Sequence, residues 1–290
     1  MQAVELQHGP WRLALRADMG GCIAGLWRSG VAVLRSTAPA ELASVRASGS
    51  YPLVPFSNRI AQARLQWNGT SHPLVQNFAG EEHSIHGLGW QRPWEVLDAS
   101  DHFAMLSLEH KSGAAWPFAF DCSQTFRLSD AGLEMTLSMT NQSATPAPAG
   151  LGWHPYFVKR AGSRIAFDAT GRWEMGRDKL PTVLASSTGI QQDVALLEVD
   201  NCFEGWSGAV QLHDELLHTR IASNLNRVVV FTGPGKDFVC VEPVSHANNA
   251  MNMLATNDHS TSAPDALGIK ILEPGESWSV QMEIHSEPAH

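Results

Sequence analysis

The amino-acid sequence predicts an all-β protein built as a large antiparallel β-sandwich. Apolar and polar residues alternate with a period of two along most of the 290 residues, and helical periodicity is hard to find. Turn residues, among them 24 Gly and 16 Pro, separate the alternating runs. Because successive side chains of a strand point to opposite faces, such runs indicate strands, and many short strands separated by turns predict a sandwich.

The clearest pair of predicted strands is a β-hairpin. Residues 118–128 alternate between apolar and polar side chains, with Gln124 as the one polar interruption of the apolar side, and residues 133–139 alternate in the same way. The segment from Asp130 to Gly132 supplies the glycine-containing turn between them. Shorter runs predict further strands at residues 64–69, 227–231, 237–241 and 277–284.

The chain shows no convincing linker between domains, so residues 1–290 are predicted to form a single domain. The best candidate linker, residues 143–150, is short, and we interpret it as a loop within that domain. Residues 257–265 are polar and contain proline, which predicts a surface loop. The absence of a fixed-period repeat argues against propellers and solenoids.

Composition excludes several classes of protein. The formal net charge is -9 and no basic stripe is visible, so we expect no nucleic-acid partner. No apolar run approaches the roughly 18 residues of a membrane helix, and the first residues do not resemble a signal peptide. The four cysteines are scattered without a CxxC pair, which disfavours a disulfide framework. We therefore expect a cytoplasmic protein with no membrane partner, as a monomer or homodimer.

Common phosphate-binding, dinucleotide-binding and serine-nucleophile motifs are absent. The segment from Gly233 to Lys236 lacks the upstream glycine of a phosphate loop, and neither GxGxxG nor GxSxG occurs. His83 and His86 form an HxxH pair, but side chains three positions apart on a strand face opposite ways. We therefore predict no metal site and no cofactor.

A set of polar residues remains, embedded in aromatic, glycine-rich and proline-rich surroundings. Taken singly, each has an ordinary structural explanation, such as a surface ion pair, a core histidine or a turn cap. The set comprises Asn58, Arg59, His86, His154, Asp200 and Glu242.

Glu242 has the strongest individual signal. Alternation places it with Phe238 and Cys240 on one face of a strand that is apolar on both faces and that Pro243 is predicted to end. A partly desolvated carboxylate has a raised pKa and is a better base near neutral pH. The structural alternative is a buried glutamate paired with an arginine.

Four tryptophans lie close to these candidates in the sequence: Trp90, Trp94, Trp153 and Trp206. Aromatic faces beside hydrogen-bonding groups suit a sugar, so Trp90 and Trp153 are predicted substrate-binding residues. The alternative is that the tryptophans fill the core, which we expect for at least half of them.

In their order along the chain, these motifs resemble the aldose 1-epimerase (galactose mutarotase) family. The resemblance spans about Val54 to Asn252 in five blocks: Pro55–Ile60, Ile85–Gly87, His154–Phe157, Asp200–Phe203 and Glu242–Pro243. It implies the galactose mutarotase-like supersandwich, with an open sugar cleft across one sheet and no cofactor. It also implies that the chain is an isomerase that interconverts the α and β anomers of a free aldohexose.

The resemblance assigns roles residue by residue. It implies three catalytic residues: Glu242 is the general base at the anomeric hydroxyl, His154 is the general acid at the ring oxygen, and His86 orients the sugar. The sequence gives no distances, so the roles of the two histidines could be exchanged in part. Arg59 and Asp200 match residues that hold ring hydroxyls, with Asn58 as their neighbour. The chemistry agrees, because opening and reclosing a cyclic hemiacetal needs one base and one acid at these two oxygens.

Other functions stay open. Pro155 follows His154 where many galactose-acting members have serine, so a preference for galactose is not implied. Lys159 and Arg160, or Arg59, could contact a phosphate, as in the related hexose-6-phosphate mutarotases. A sugar-binding protein without turnover is the third possibility, although pure binding needs no paired acid and base.

Overall fold

The computed structural model describes residues 3–254 and 264–289, without the side chain of Asp265. The predicted surface loop at residues 257–265 therefore lies almost entirely outside the described residues. In the described part, antiparallel strands dominate, and no helix is long and apolar enough to cross a membrane.

The strands of the first half of the chain are β1 Ala3–His8, β2 Trp11–Arg16, β3 Cys22–Arg28, β4 Val31–Ala32, β5 Pro52–Leu53, β6 Arg59–Ile60, β7 Arg64–Trp67, β8 Thr70–Pro73, β9 Ser84–Ile85, β10 Glu95–Ala99, β11 Phe103–His110, β12 Phe120–Leu128 and β13 Gly132–Asn141. Those of the second half are β14 Ala147–Ala149, β15 Gly152–Trp153, β16 Tyr156–Val158, β17 Arg164–Phe167, β18 Gly171–Met175, β19 Pro181–Ser186, β20 Ile190–Asp193, β21 Val199–Glu204, β22 Ala209–His213, β23 Leu217–Ser223, β24 Arg227–Thr232, β25 Phe238–Val244, β26 Lys270–Leu272 and β27 Ser277–Pro288. The α-helices of the described residues are two short ones, α1 Ala250–Met253 and α2 Pro264–Leu267.

A nine-stranded sheet forms one layer, in the order β10-β11-β12-β13-β27-β23-β22-β17-β20. The predicted hairpin is confirmed as β12 and β13, joined by a turn in which Ser129 and Gly132 exchange backbone hydrogen bonds. The polar interruption at Gln124 is buried, and its amide group donates to the carbonyl oxygen of Gly21. A buried polar group is thus satisfied rather than turned to solvent.

An eight-stranded sheet forms the other layer, with the path β19-β18-β21-β24-β25-β15-β5 and β16 paired to β25. Its strands β24 and β25 are those predicted at residues 227–231 and 237–241. The prediction that Pro243 ends β25 is wrong, since Pro243 pairs with Val228 and Val244 pairs with Arg227. Val244 also pairs with Gly152 of β15, so neighbours on both sides hold the strand beyond the proline.

The two large sheets pack as a β-sandwich, as the sequence predicts. The Phe167 ring of β17 and the Phe203 ring of β21 meet edge to face, with centres 5.1 Å apart. Phe203 pairs with Val228, so both point toward the nine-stranded sheet, and the alternating residues of β21, β24 and β25 point away from it. Buried apolar residues from Leu6 to Ile284 form one core cluster.

Residues 143–150, predicted as a loop, contain the short strand β14, which pairs with β26. The two prolines in this segment favoured a loop, but Pro148 is accommodated in a ladder of only two strands.

We expect the Phe167–Phe203 contact to contribute strongly to stability. Phe203→Ala removes a fully buried ring from between the sheets and should lower the free energy of unfolding by about 3–5 kcal/mol. Urea denaturation followed by tryptophan fluorescence measures this change. Leu196→Ala is the control, because Leu196 is 80% exposed and should change stability by only about 0.5 kcal/mol. Equal effects of the two substitutions would contradict this packing.

Candidate active site

One face of the eight-stranded sheet carries a row of polar and aromatic side chains. The register places Asp200 opposite Phe231, Phe231 opposite Cys240, and Cys240 opposite Tyr156. Directly opposed residues of antiparallel strands point to the same face. Glu242, two positions beyond Cys240, shares this face, which is turned away from the nine-stranded sheet.

A cavity of about 480 Å³ lies over this face. Its volume is in the range of about 300–1,000 Å³ that is typical of small-molecule sites. Six residues predicted from the sequence line it: Asn58, Arg59, His86, His154, Asp200 and Glu242. Residues from five separate parts of the chain thus converge on one space.

Glu242 and His154 form a buried pair in this cavity. His154 Nε2 lies 3.3 Å from Glu242 Oε1. Burial raises the pKa of Glu242 well above its ordinary value, and the charge of Asp200 raises it further, against the opposing effect of Arg59. Burial also lowers the pKa of His154 to about 3. Both shifts favour the form in which Glu242 is protonated and His154 is neutral.

Aromatic rings enclose His154. Its ring centre lies 4.5 Å from that of Tyr156, in a stacked arrangement, and 4.8 Å from that of Tyr51. The hydroxyl groups of these two tyrosines are 3.2 Å apart, and the chain has no other tyrosine. The backbone N–H of His154 donates to the carbonyl oxygen of Tyr51. These contacts fix the plane of the imidazole.

His86 presents a hydrogen-bond donor to the cavity. Its Nδ1 accepts the backbone N–H of Asn58 at 3.1 Å, and burial lowers its pKa well below the ordinary value. A neutral imidazole whose Nδ1 is an acceptor carries its proton on Nε2. The ring centres of His86 and His154 are 5.2 Å apart, so this donor lies beside the buried pair.

The backbone around His86 is left-handed at three positions. Asn58, His86 and Gly87 have φ values of +54°, +61° and +69°. A Cβ on Gly87 would lie 2.1 Å from the carbonyl oxygen of Val54, so this position requires glycine. The backbone hydrogen bond from His86 to Asn58 ties two of these unusual conformations together.

Arg59 is held at the other side of the cavity. Its Nε and Nη2 donate to Oε2 of Glu81 at 3.2 and 3.0 Å, and its Nη1 donates to Oδ1 of Asn58. Among the described residues no arginine forms an ion pair with Glu242: Arg59 pairs with Glu81, although its charge opposes the rise of the Glu242 pKa. Asp200 is exposed at the cavity edge, and partial desolvation raises its pKa, although Arg59 and Lys179 act in the opposite sense.

The structure corrects the predicted roles of Trp90 and Trp153. Neither indole lines the cavity, and both are buried, Trp153 completely. Trp90 stacks on Tyr51, with ring centres 5.5 Å apart, and so supports a residue of the cavity wall. Trp94 and Trp206 are buried as well, each donating to a backbone carbonyl. The core-filling alternative holds for all four tryptophans.

The predicted phosphate contacts at Lys159 and Arg160 are not supported. Arg160 Nη1 donates to Asp214 Oδ2 at 2.7 Å, and its Nη2 donates to the carbonyl oxygen of Ala32. Neither Lys159 nor Arg160 lines the cavity. Of the cations proposed for that role, Arg59 alone lies there.

His154, Cys240 and Glu242 are the group of potential metal ligands found among the described residues. One ligand atom from each lies within 4.8 Å of the others. Metal binding requires a thiolate, whereas burial raises the pKa of the Cys240 thiol well above its ordinary value. The donor set therefore suits an acid–base pair better than a metal, and the HxxH residue His83 is engaged elsewhere, by Gln62 and Asp178.

Sequence reasoning missed several cavity residues. Tyr51, Phe78, Tyr156, Phe231 and Phe238 supply the aromatic lining that was expected from tryptophans. Tyr156 lies within a recognised block and Phe238 shares the face of Glu242, so both could have been proposed. Tyr51 and Phe78 come from segments without a motif, and only the fold brings them here.

A scan against family models matches the aldose 1-epimerase model over residues 2–285. The chain belongs to the aldose 1-epimerase family. It is 32% identical over 305 residues to YphB, an uncharacterized protein of Escherichia coli K12, covering 99% of both chains. A second uncharacterized protein of the same organism, YihR, is 23% identical over 217 residues, covering 69% of this chain and 70% of YihR.

Solved structures agree with this family membership. A crystal structure from Escherichia coli K12 has a TM-score of 0.87 and 29% sequence identity, covering 99% of both chains. A galactose mutarotase-like protein from Clostridium acetobutylicum has a TM-score of 0.85 at 20% identity, covering 99% of this chain and 95% of that one. The galactose mutarotase-like fold predicted from the sequence is therefore confirmed.

A further buried histidine, His246, is hydrogen-bonded to the residue that precedes Asn58. His246 Nε2 accepts the backbone N–H of Ser57 at 3.0 Å, and its Nδ1 lies 2.6 Å from the carbonyl oxygen of Ala247. Burial lowers the pKa of His246 from 6.5 to about 4, although the Ala247 carbonyl acts in the opposite sense. Between these values the unfolded chain binds a proton that the folded chain does not, so this histidine lowers stability as pH falls through that window.

We expect His246→Gln to flatten the pH dependence of stability. Between about pH 6 and 5, the free energy of unfolding of the wild type should fall more steeply than that of the variant, by about 1.4 kcal/mol per pH unit. Urea denaturation at several pH values measures both slopes. Above about pH 7.5 the unfolded-state histidine is neutral as well, so the slopes should agree there. Parallel curves throughout would show that His246 binds its proton equally in the folded and the unfolded chain, which would contradict the lowered pKa.

Proposed function

We propose that this protein is an aldose 1-epimerase that interconverts the α and β anomers of an aldohexose by acid–base catalysis. The observation that carries the proposal is the buried pair of Glu242 and His154, with 3.3 Å between Oε1 and Nε2, on the floor of a cavity. Family membership supports the same reaction class.

The reaction needs two proton transfers. A base removes the proton of the C1 hydroxyl, the bond between C1 and the ring oxygen breaks as the C1 carbonyl forms, and an acid protonates the ring oxygen. Rotation about C1–C2 then exposes the other carbonyl face, and the reverse transfers close the ring. We assign Glu242 as the base and His154 as the acid, and each such transfer contributes about 10²–10⁴-fold to the rate.

The single proton of the pair is sufficient for this cycle. Burial favours the neutral form, with the exchangeable proton on Glu242. The form that opens the ring has this proton on His154, and a bound sugar, whose hydroxyls hydrogen-bond to the charges, stabilises it. After ring opening Glu242 has gained a proton and His154 has lost one, which restores the neutral form. No proton from solvent is required.

The remaining cavity residues are proposed to position the sugar. The Nε2–H of His86 lies beside the pair and is available to a sugar oxygen. Arg59, oriented by Glu81 and Asn58, and the carboxyl group of Asp200 are suited to bind ring hydroxyls. Trp90 and Trp153 have no direct role in this proposal, because both are buried away from the cavity. The predicted cytoplasmic location and the monomeric or homodimeric state stay predictions.

The test is anomer exchange measured by proton NMR on D-glucose and D-galactose after EDTA treatment. The wild type should accelerate exchange, and Glu242→Gln should lower kcat by about 10²–10⁴-fold because the base is lost. Glu134→Gln is the matched control, since Glu134 is an exposed residue of β13 in the other sheet.

Three results would contradict the proposal. Full activity of Glu242→Gln would exclude this carboxylate as the base, and loss of activity with EDTA would indicate a metal. Sugar binding detected by calorimetry without any accelerated exchange, on neutral or acidic sugars, would favour the non-catalytic binding protein.

A further inference from the structure

The cations of the cavity are not balanced by its carboxylates. Five cationic side chains line it, against three acidic ones, in a chain whose net charge is -9. Arg59 is paired with Glu81, and Lys179 acts on Asp200. Arg35, Arg46 and Lys236 have no carboxylate partner within the described ranges, and of these Arg46 lies over the Phe78 ring. A positive end of the cavity therefore remains uncompensated.

Arg35 is held rigidly at this end. Its side chain is half-buried, its Nε and Nη2 donate to the carbonyl oxygen of Ser48, and Nη2 also donates to that of Arg46. Its Cζ lies 3.9 Å from the Tyr156 ring centre. Its Nη1 makes no hydrogen bond to any residue that the structure describes. A guanidinium that is fixed and lacks a counterion is suited to bind an anion.

Lys236 comes to the same end from the hairpin turn between β24 and β25. The turn is closed by a hydrogen bond from the backbone N–H of Lys236 to the carbonyl oxygen of Gly233. Its Nζ lies 5.9 Å from the Phe231 ring centre and 5.8 Å from that of Phe238, and Arg35 Cζ lies 5.3 Å from the same Phe238 ring. The turn Gly233–Lys236 does not have the sequence of a phosphate loop, but it places the ammonium group of Lys236 at the cavity.

Stacking relates this positive end to the acid–base pair. The Tyr156 ring centre lies 4.5 Å from that of His154 and 3.9 Å from Arg35 Cζ, so the guanidinium lies within about 8.4 Å of the imidazole. In the proposed reaction His154 faces the ring oxygen, which is bonded only to C1 and C5, and Glu242 faces C1. Because Arg35 adjoins His154 through Tyr156, we place the substituent on C5 toward Arg35.

We propose that the preferred substrate is an aldose with an anionic group on the exocyclic carbon attached to C5, and that Arg35 and Lys236 bind that group. A carboxylate or a phosphate ester at this position supplies the same chemistry, because both accept charge-assisted hydrogen bonds. Glu81 and Asp200 lie in the part of the cavity near Arg59, which disfavours the reversed orientation. The inference rests on the proposed function and specifies its substrate class.

The test compares matched sugars by the same NMR exchange measurement. D-galacturonate is compared with D-galactose, and D-glucose 6-phosphate with D-glucose, as the ratio of kcat/KM for the acidic sugar to that for the neutral one. At low salt we expect a ratio of about 10 or more, decreasing in about 0.5 M NaCl as the charges are screened. A high ratio for galacturonate alone would identify the group as a carboxylate, and one for glucose 6-phosphate alone would identify a phosphate.

Lys236→Gln removes one of the two cations proposed to bind the anionic group and should lower this ratio by about tenfold, mainly through KM. The fold should tolerate the change, because the Lys236 side chain is exposed and makes no hydrogen bond that the fold requires. Arg35→Lys keeps the charge but loses the planar fork, and should lower the ratio less. Lys159→Gln is the matched control, since Lys159 lies outside the cavity lining, and it should leave the ratio unchanged.

A ratio near one, or a high ratio that neither Lys236→Gln nor Arg35→Lys changes, would overturn the inference while leaving the epimerase proposal intact. Calorimetry of the wild type with galacturonate and galactose further separates failure of the proposed anion site from failure of the proposed reaction. If no sugar is equilibrated but galacturonate binds more tightly than galactose, the proposed reaction fails and the anion site stands.

Discussion

The register of three antiparallel strands is the constraint on which the candidate site depends. Pairing of β21 with β24 and of β24 with β25 turns Asp200, Phe231 and Glu242 to one face of the eight-stranded sheet. A shift of one residue in the β24–β25 pairing would move Glu242 into the sandwich core and Val241 into the cavity. The apolar residues that fill the core therefore also determine which side chains can do chemistry, because burying them excludes every other register.

Holding a carboxyl group and an imidazole together without solvent destabilises the charged form of each. Packing compensates for this cost around the pair. The ring of His154 packs against the rings of both Tyr51 and Tyr156, and Trp90 stacks on Tyr51. Burial of the two ionisable groups is electrostatically unfavourable, but the packed aromatic rings around them are rigid. These rings keep Glu242 and His154, whose pKa values are shifted in opposite directions, at a fixed distance.

Much of the fold could be predicted from the sequence because alternation reports directly on which face of a strand is buried. The β12–β13 hairpin and the face shared by Phe238 and Glu242 follow from this rule alone. The error at Trp153 has the same origin: Trp153 and His154 are neighbours in a nearly extended segment, where adjacent side chains point to opposite sides. If His154 faces the cavity, Trp153 must face the core, and closeness in sequence was the wrong criterion.

What the sequence could not predict depends on contacts between distant segments. Tertiary packing determines that Arg59 pairs with Glu81 rather than with Glu242. It also places Arg35 and Lys236 beside the same Phe238 ring. The continuation of β25 past Pro243 is similar, since partners on both sides maintain the strand where local propensity would end it. Local patterns identify which face a residue occupies, but not which residues of other segments meet it there.

The hydrogen-bonded pair of Tyr51 and Tyr156 has a practical consequence. These are the only tyrosines of the chain, and both lie in the cavity wall. Isotope labelling of tyrosine alone therefore gives a spectrum that originates entirely from the candidate site, without background from the remainder of the 290 residues. The signals of Tyr51 and Tyr156 would therefore report on cavity occupancy, because the chain has no other tyrosines and the fold places both in the cavity wall.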